Sequence, residues 1–168
     1  MTRQFIDLSK IPKAEARVLI AQDVLNQLNL KKIIATSSGT YFAFEGVSFD
    51  GEDFLHEVLD KTQCQVCALG SLYYSRVQVA NETRCDVVER IGDYEEGFVL
   101  NNINITHTIM PDLNQYFDWS ALDKIENYFE GWFEGNTFYS DNPDPEIRMR
   151  KIMQNIIDNN GDFKPELL

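Results

Sequence analysis

An uncharged, largely apolar run occupies the middle of this chain, from residue 64 to residue 75. It begins with Cys64-x-x-Cys67, and small residues follow at positions 68, 70 and 71. A helix with small residues on its surface lets neighbouring backbone approach closely. We therefore predict a buried central helix over residues 64–79, a feature that constrains packing and leaves the chemistry open.

Hydrophobic periodicity in the rest of the chain predicts an α+β fold, a predominantly α-helical single domain with a small β-hairpin or sheet element. We see no internal boundary and predict one compact domain over 1–168. The predicted helices are 13–28, 52–60, 121–134 with Ser120 as N-cap, and a last helix that begins at Pro145 and stops at Gly161. The predicted strands are 32–36 and 40–44, paired as a hairpin with Gly39 in the turn, and 99–109.

The charge of the chain is strongly and unevenly acidic. The net charge over 168 residues is −12, and residues 112–146 hold nine acidic side chains against one basic side chain. Such a chain repels nucleic acid and anionic membranes and attracts basic protein surfaces. We therefore predict a protein-interaction face at Glu126, Glu130 and Glu134, with the loop 82–96 as a second contact region.

The N-terminus lacks the apolar core of a signal peptide, and no stretch reaches the roughly 18 apolar residues of a membrane helix. The cysteine count is three, an odd number that does not suit a disulfide framework. We expect a cytoplasmic protein without membrane association.

The cysteines allow three chemical alternatives, and one of them, a thioredoxin-like redox pair at the start of a helix, lacks the preceding strand that it needs in the predicted elements. Cys64-x-x-Cys67 has zinc-ligand spacing, but Cys85, His56 and His107 are the available completions, and no second such pair is present. A cysteine nucleophile paired with His56 or His107 is the third alternative. Buried structural cysteines are the simpler interpretation, so we predict no catalytic residue, no metal and no cofactor.

A small-molecule site is a further hypothesis. The turn around Ser38 and Gly39, with Tyr41 and the cation Arg76, could hold a small anionic ligand through backbone N–H groups, hydroxyls and a guanidinium. The alternative is an ordinary hairpin turn, since serine and glycine are common turn residues.

Two blocks of the sequence resemble a group of small, uncharacterised phage and bacterial proteins. They are Cys64-x-x-Cys67-Ala68-x-Gly70 and the C-terminal Arg148-Met149-x-x-Ile152-Met153-x-Asn155-Ile156-Ile157-x-Asn159-x-Gly161. The resemblance implies a helical fold and a bacterial or viral cytoplasmic setting, and it brings no catalytic residues.

Together these observations favour a non-enzymatic, acidic binding protein. If the chain is phage-encoded, its role would be to sequester a host protein or a small signalling molecule in the host cytoplasm. A thiol- or metal-dependent enzyme and a DNA-mimic inhibitor are the alternatives. The dense aromatic residues between 119 and 139 also allow a homodimer interface.

Overall fold

The structure is a computed structural model that describes residues 6–37, 41–44, 63–80, 109–132, 135 and 137–168. Its helices are α1 (Lys13–Asn29), α2 (Ala68–Val79), α3 (Trp119–Glu130), α4 (Thr137–Asp141) and α5 (Pro145–Asp158), and its strands are β1 (Ile33–Ala35), β2 (Phe42–Phe44) and β3 (Cys64–Val66). Residues 109–113 form a further helical turn, and the 3-10 turns are Leu8–Lys10 and Pro165–Leu167.

The strands form one mixed sheet in the order β1-β3-β2. β3 runs parallel to β1, with Ile33 opposite Cys64, and antiparallel to β2, with Phe44 opposite Cys64. The two predicted strands are therefore present, but the hairpin between them is wrong, because β3 lies between them. In this central position the Cys64 and Val66 side chains of β3 are buried.

The prediction of a helix over 64–79 is correct from Ala68 onward and wrong for Cys64–Val66, which is strand β3. Cys67 is the N-cap of α2, and its Sγ accepts a hydrogen bond from the Gly70 N–H. A Cβ at Gly70 would collide with the Tyr41 carbonyl, so the absence of a side chain at position 70 is what lets the backbone of Tyr41 lie against α2.

Helix α5 begins and ends as the sequence predicts. Asp144 is its N-cap and accepts a hydrogen bond from the Glu146 N–H at 2.8 Å, while Pro145 occupies the first turn. Gly161 lies beyond the end of the helix with φ +94°, against the backbone of Ala14. The conformation and the close contact both exclude a side chain there.

Helix α3 begins and ends earlier than predicted. Its N-cap is Asp118 rather than Ser120, and it ends at Glu130, followed by the C-cap Gly131 in the left-handed conformation with φ +78°. The core-facing side chains are Leu122, Ile125 and Phe129. Because the helix ends at Glu130, Trp132 leaves the predicted apolar stripe and is 60% exposed.

Helix α2 lies at the centre of the fold, and α1 packs against both α2 and α5. The buried hydrophobic side chains of the described residues belong to one cluster that includes all of these helices and the sheet. The α+β, mainly helical fold class is thus confirmed.

Other predictions fall on residues that the structure does not describe. The helix 52–60, the loop 82–96 and residues 99–108 of the strand 99–109 lie outside the described residues. Ile109, the last residue of that predicted strand, begins the helical turn 109–113. A single domain over 1–168 stays a prediction.

Candidate functional site

The carboxyl ends of the two parallel strands lie side by side. The register pairs Ala35 of β1 with Val66 of β3, and the Thr36 N–H continues the ladder to the Val66 carbonyl at 2.9 Å. Cys67 follows β3 directly and Ser37 follows β1 after Thr36, so both lie at one edge of the sheet. This edge is where open sheets with parallel strands commonly present functional groups.

Helix α5 adds a buried guanidinium to this edge. Arg148 is fully buried, and its Nη2 donates a hydrogen bond to the Ser37 hydroxyl. Its other donors reach main-chain carbonyls, with Nε 2.8 Å from the Phe129 oxygen and Nη1 2.7 Å from the Asn142 oxygen and 2.8 Å from the Pro143 oxygen. Among the described residues no carboxylate lies within ion-pair distance of it.

Aromatic rings complete the surroundings of Arg148. Its guanidinium carbon lies 4.2 Å from the Tyr139 ring centroid and 5.4 Å from that of Phe129. Burial lowers the pKa of Arg148, while Tyr139, Glu130 and Asp144 act in the opposite direction. Arg148 was not among the residues that the sequence predicted to form a site. The available signal was its position four residues before Ile152, which places a cation on the apolar face of α5.

Helix α3 brings acidic side chains to the same edge. Partial burial, together with the charge of Glu126, raises the pKa of Glu130 to about 7, although Arg148 and hydrogen bonding by Ser37 oppose the rise. Burial and the nearby charge of Asp123 also raise the pKa of Glu126. At neutral pH the Glu130 carboxyl is therefore close to its titration midpoint rather than fully ionised.

We name the face of α3 that carries these carboxylates the acidic stripe; it comprises Trp119, Asp123, Glu126 and Glu130. The spacing of four, three and four residues places them on one side of the helix, next to the core face. Trp119 is 51% exposed, Asp123 is exposed, and the two glutamates are half-buried. Glu126 and Glu130 of the predicted interaction face thus lie on one side of α3 and are less solvated than the sequence suggests, while their role in binding a protein stays a prediction.

Cys67 lies close enough to the acidic stripe to sense its charge. Complete burial, with a smaller contribution from the negative charges of Glu130 and Glu126, raises the pKa of the Cys67 thiol to about 12, against hydrogen bonding from the Gly70 N–H. Cys64 is also buried, and no disulfide joins the two cysteines. Since the thiolate is the nucleophile and the metal ligand, these surroundings disfavour both roles for Cys67 at neutral pH.

The structure separates two residues of the predicted anionic-ligand site. The Tyr41 carbonyl accepts a hydrogen bond from the Cys67 N–H at 3.3 Å, at the start of α2. Arg76 lies in the last turn of α2 and forms an ion pair with Asp112. Ser38 and Gly39 lie outside the described residues, so the ligand site stays a prediction.

Other predicted site residues also lie outside the described part of the chain. They are Glu134 of the acidic face and the possible cysteine partners Cys85, His56 and His107. Among the described residues no group of His, Cys, Asp and Glu is arranged to hold a metal ion. The zinc and cysteine–histidine alternatives are therefore untested.

No helix within the described ranges combines the length and the apolar character needed to cross a bilayer. Comparisons of the chain with protein-family models, with curated proteins and with solved structures find no match. The resemblance to phage and bacterial proteins accordingly stays a prediction.

Proposed function

We propose that this chain is a non-enzymatic binding protein that recognises a lysine- and arginine-rich surface of another protein through the acidic stripe. The observation that carries the proposal is the alignment of Asp123, Glu126 and Glu130 with the exposed Trp119 on one face of α3. This face offers closely spaced negative charge and one large aromatic side chain to a partner.

The free protein bears an electrostatic cost at this face. Like charges three or four residues apart on a helix destabilise it by about 0.2–0.5 kcal/mol a pair. Half-burial of Glu126 and Glu130 adds a desolvation cost, which appears as the raised pKa of both. A lysine or arginine side chain placed against them would replace repulsion with attraction, so a cationic partner is favoured over an anionic one.

Trp119 gives the proposed contact its apolar part. Tryptophan is enriched among the residues that dominate binding energy, and its ring face also attracts cations. The net charge of −12 would steer a basic partner toward the protein over longer distances. The resemblance to phage proteins suggests a host cytoplasmic protein as the partner. If that partner is a DNA-binding protein, the chain would act as a DNA mimic.

Site-specific photo-crosslinking tests this proposal. A photoreactive amino acid is placed at Asp123 on the stripe, or at Asp158 at the far end of α5 as a control, in cells that naturally make the chain. We expect a protein captured only from position 123, through a segment rich in lysine and arginine. Capture of the same proteins from both positions, or of none from position 123, would contradict the proposal.

A further inference from the structure

A second surface feature lies away from the acidic stripe. A cleft of about 420 Å³ opens between α3, α4, α5 and the C-terminal 3-10 turn. Its lining includes two aromatic side chains, Tyr128 and Phe138, and two opposite charges, Asp141 and Lys151. The volume lies within the range of small-molecule sites in proteins.

Four polar side chains that line this cleft form no bond to another described side chain: Asp141, Lys151, Tyr128 and Thr137. Among the described residues, no side chain forms an ion pair or hydrogen bond with the Asp141 carboxylate or the Lys151 ammonium group, and the two do not pair with each other. The hydroxyl groups of Tyr128 and Thr137 likewise have no hydrogen-bond partner within the described part of the chain. These donor, acceptor and charged groups therefore line one cleft and can bind a ligand without breaking a bond to another described side chain.

Two walls of the cleft are held in place by buried and partly buried hydrogen bonds. The Asn142 amide donates to the Phe138 carbonyl at 2.8 Å, and the Asn142 carbonyl accepts from buried Arg148 at 2.7 Å. On the other side, the Asn155 amide bonds both the N–H and the carbonyl of Lys164, each at 2.8 Å, and so fixes the segment that carries Pro165. Binding there would therefore require little ordering of the protein.

We propose that this cleft binds a small zwitterionic molecule with an apolar part, such as a free amino acid or a dipeptide. Its ammonium group would face Asp141, its carboxylate would face Lys151, and its apolar part would lie on the Tyr128 ring. A singly charged ligand would leave one of the two protein charges without a partner, and a dianion or dication would be repelled by one of them. This inference does not depend on the function proposed for the acidic stripe.

Ligand-observed NMR on the intact chain tests the inference with L-phenylalanine, L-leucine and glycyl-L-phenylalanine as probes. Phenethylamine lacks the carboxylate of L-phenylalanine, and N-acetyl-L-phenylalanine lacks its ammonium charge. We expect saturable binding of at least one zwitterion, and at least about fivefold weaker binding of the two singly charged analogues.

Variants then assign each charge to its partner. Asp141→Asn should weaken binding of the zwitterion and of phenethylamine and leave binding of N-acetyl-L-phenylalanine unchanged. Lys151→Gln should weaken binding of the zwitterion and of N-acetyl-L-phenylalanine and leave binding of phenethylamine unchanged. The charge-matched controls Asp158→Asn and Lys13→Gln, both on the exposed surface, should change nothing. Failure of every zwitterion to bind, or equal affinity across ligands or across variants, would overturn the inference.

Discussion

Arg148 on α5 donates a hydrogen bond to the hydroxyl of Ser37, which lies 111 residues earlier in the chain at the end of β1. The same guanidinium binds the carbonyls of Phe129, Asn142 and Pro143. One side chain thus connects the sheet edge, the end of α3 and the segment before α5. Its charge is balanced by oxygen dipoles and aromatic faces, and the charges of Tyr139, Glu130 and Asp144 oppose the effect of burial on its pKa.

Replacing this guanidinium should therefore be costly even when the positive charge is kept. We expect Arg148→Lys to lower the free energy of unfolding by about 2–4 kcal/mol, because an ammonium group cannot reach all of these acceptors and leaves buried carbonyls unsatisfied. Urea unfolding followed by circular dichroism measures the change. Arg150→Lys is the matched control, since Arg150 pairs with Glu146 at the surface. Equal stability of both variants would show that Arg148 does not organise this region.

Glu130 should make stability depend on pH. Its pKa is raised to about 7 in the folded protein, above the ordinary value of 4.5 that applies after unfolding. The folded state therefore binds more protons than the unfolded state between these values, and the free energy of unfolding falls as the pH rises through this window.

The variant Glu130→Gln removes that dependence. We expect it to be about 1 kcal/mol more stable than the unchanged protein at pH values above 7, a figure reduced for solvent screening of the partly exposed carboxyl. Below the unfolded pKa the advantage should disappear. Urea unfolding of both proteins below pH 4.5 and above pH 7 measures the difference in the free energy of unfolding. A stability advantage of Glu130→Gln that grows toward acidic pH would contradict the raised pKa of Glu130.

Gly70 should tolerate no side chain. We expect Gly70→Ala to lower the free energy of unfolding by about 2–3 kcal/mol, because its Cβ would meet the Tyr41 carbonyl and push the backbone of residue 41 away from α2. Ser75→Ala on the same helix is the control. The Ser75 hydroxyl is buried without a hydrogen-bond partner among the described residues, so its removal should be neutral or slightly stabilising. Thermal unfolding that ranks the two variants in the opposite order would refute this packing.

The buried cysteines should be unreactive in the folded protein. In a Cys85→Ser background, Cys64 and Cys67 should fail to react with a disulfide reagent at pH 8 until denaturant is added, because burial raises the pKa of Cys67 to about 12 and blocks access. The absorbance of the released thiolate follows the reaction. Rapid labelling without denaturant would instead favour the thiol-enzyme alternative.

Local signals in the sequence predicted the elements that depend on local interactions. The limits of α5 follow from Asp144, Pro145 and Gly161, and the span of α1 follows from its apolar spacing. The strand order did not follow, because the pairing of β3 between β1 and β2 is set by contacts distant in sequence. A short apolar run such as Cys64–Val66 fits a buried strand as well as a helix.

The candidate site was predictable only in part. The spacing of Glu126 and Glu130 on one helix face is visible in the sequence, but their partial burial depends on how α3 packs. The role of Arg148 depends on carbonyls contributed by residues 129, 142 and 143 and on the Ser37 hydroxyl, a set that no spacing rule brings together.

Binding at the acidic stripe should release protons near neutral pH. A cationic side chain beside Glu130 would lower its pKa from about 7, so a carboxyl that is partly protonated in the free protein would ionise in the complex. Calorimetry in two buffers of different ionisation enthalpy detects this release. A binding enthalpy that is the same in both buffers would show that Glu130 does not face the bound cation.

The most direct test of the proposed function compares two charge-matched variants in a calorimetric titration with a short lysine- and arginine-rich peptide. One variant combines Asp123→Asn, Glu126→Gln and Glu130→Gln on the acidic stripe, and the other combines Glu15→Gln, Asp158→Asn and Glu166→Gln on other exposed surfaces. Circular dichroism first confirms that both fold. We predict that the stripe variant binds at least about tenfold more weakly, while the control binds like the unchanged protein. Equal weakening in both variants would show that net charge alone attracts the peptide and would contradict a binding function for the stripe.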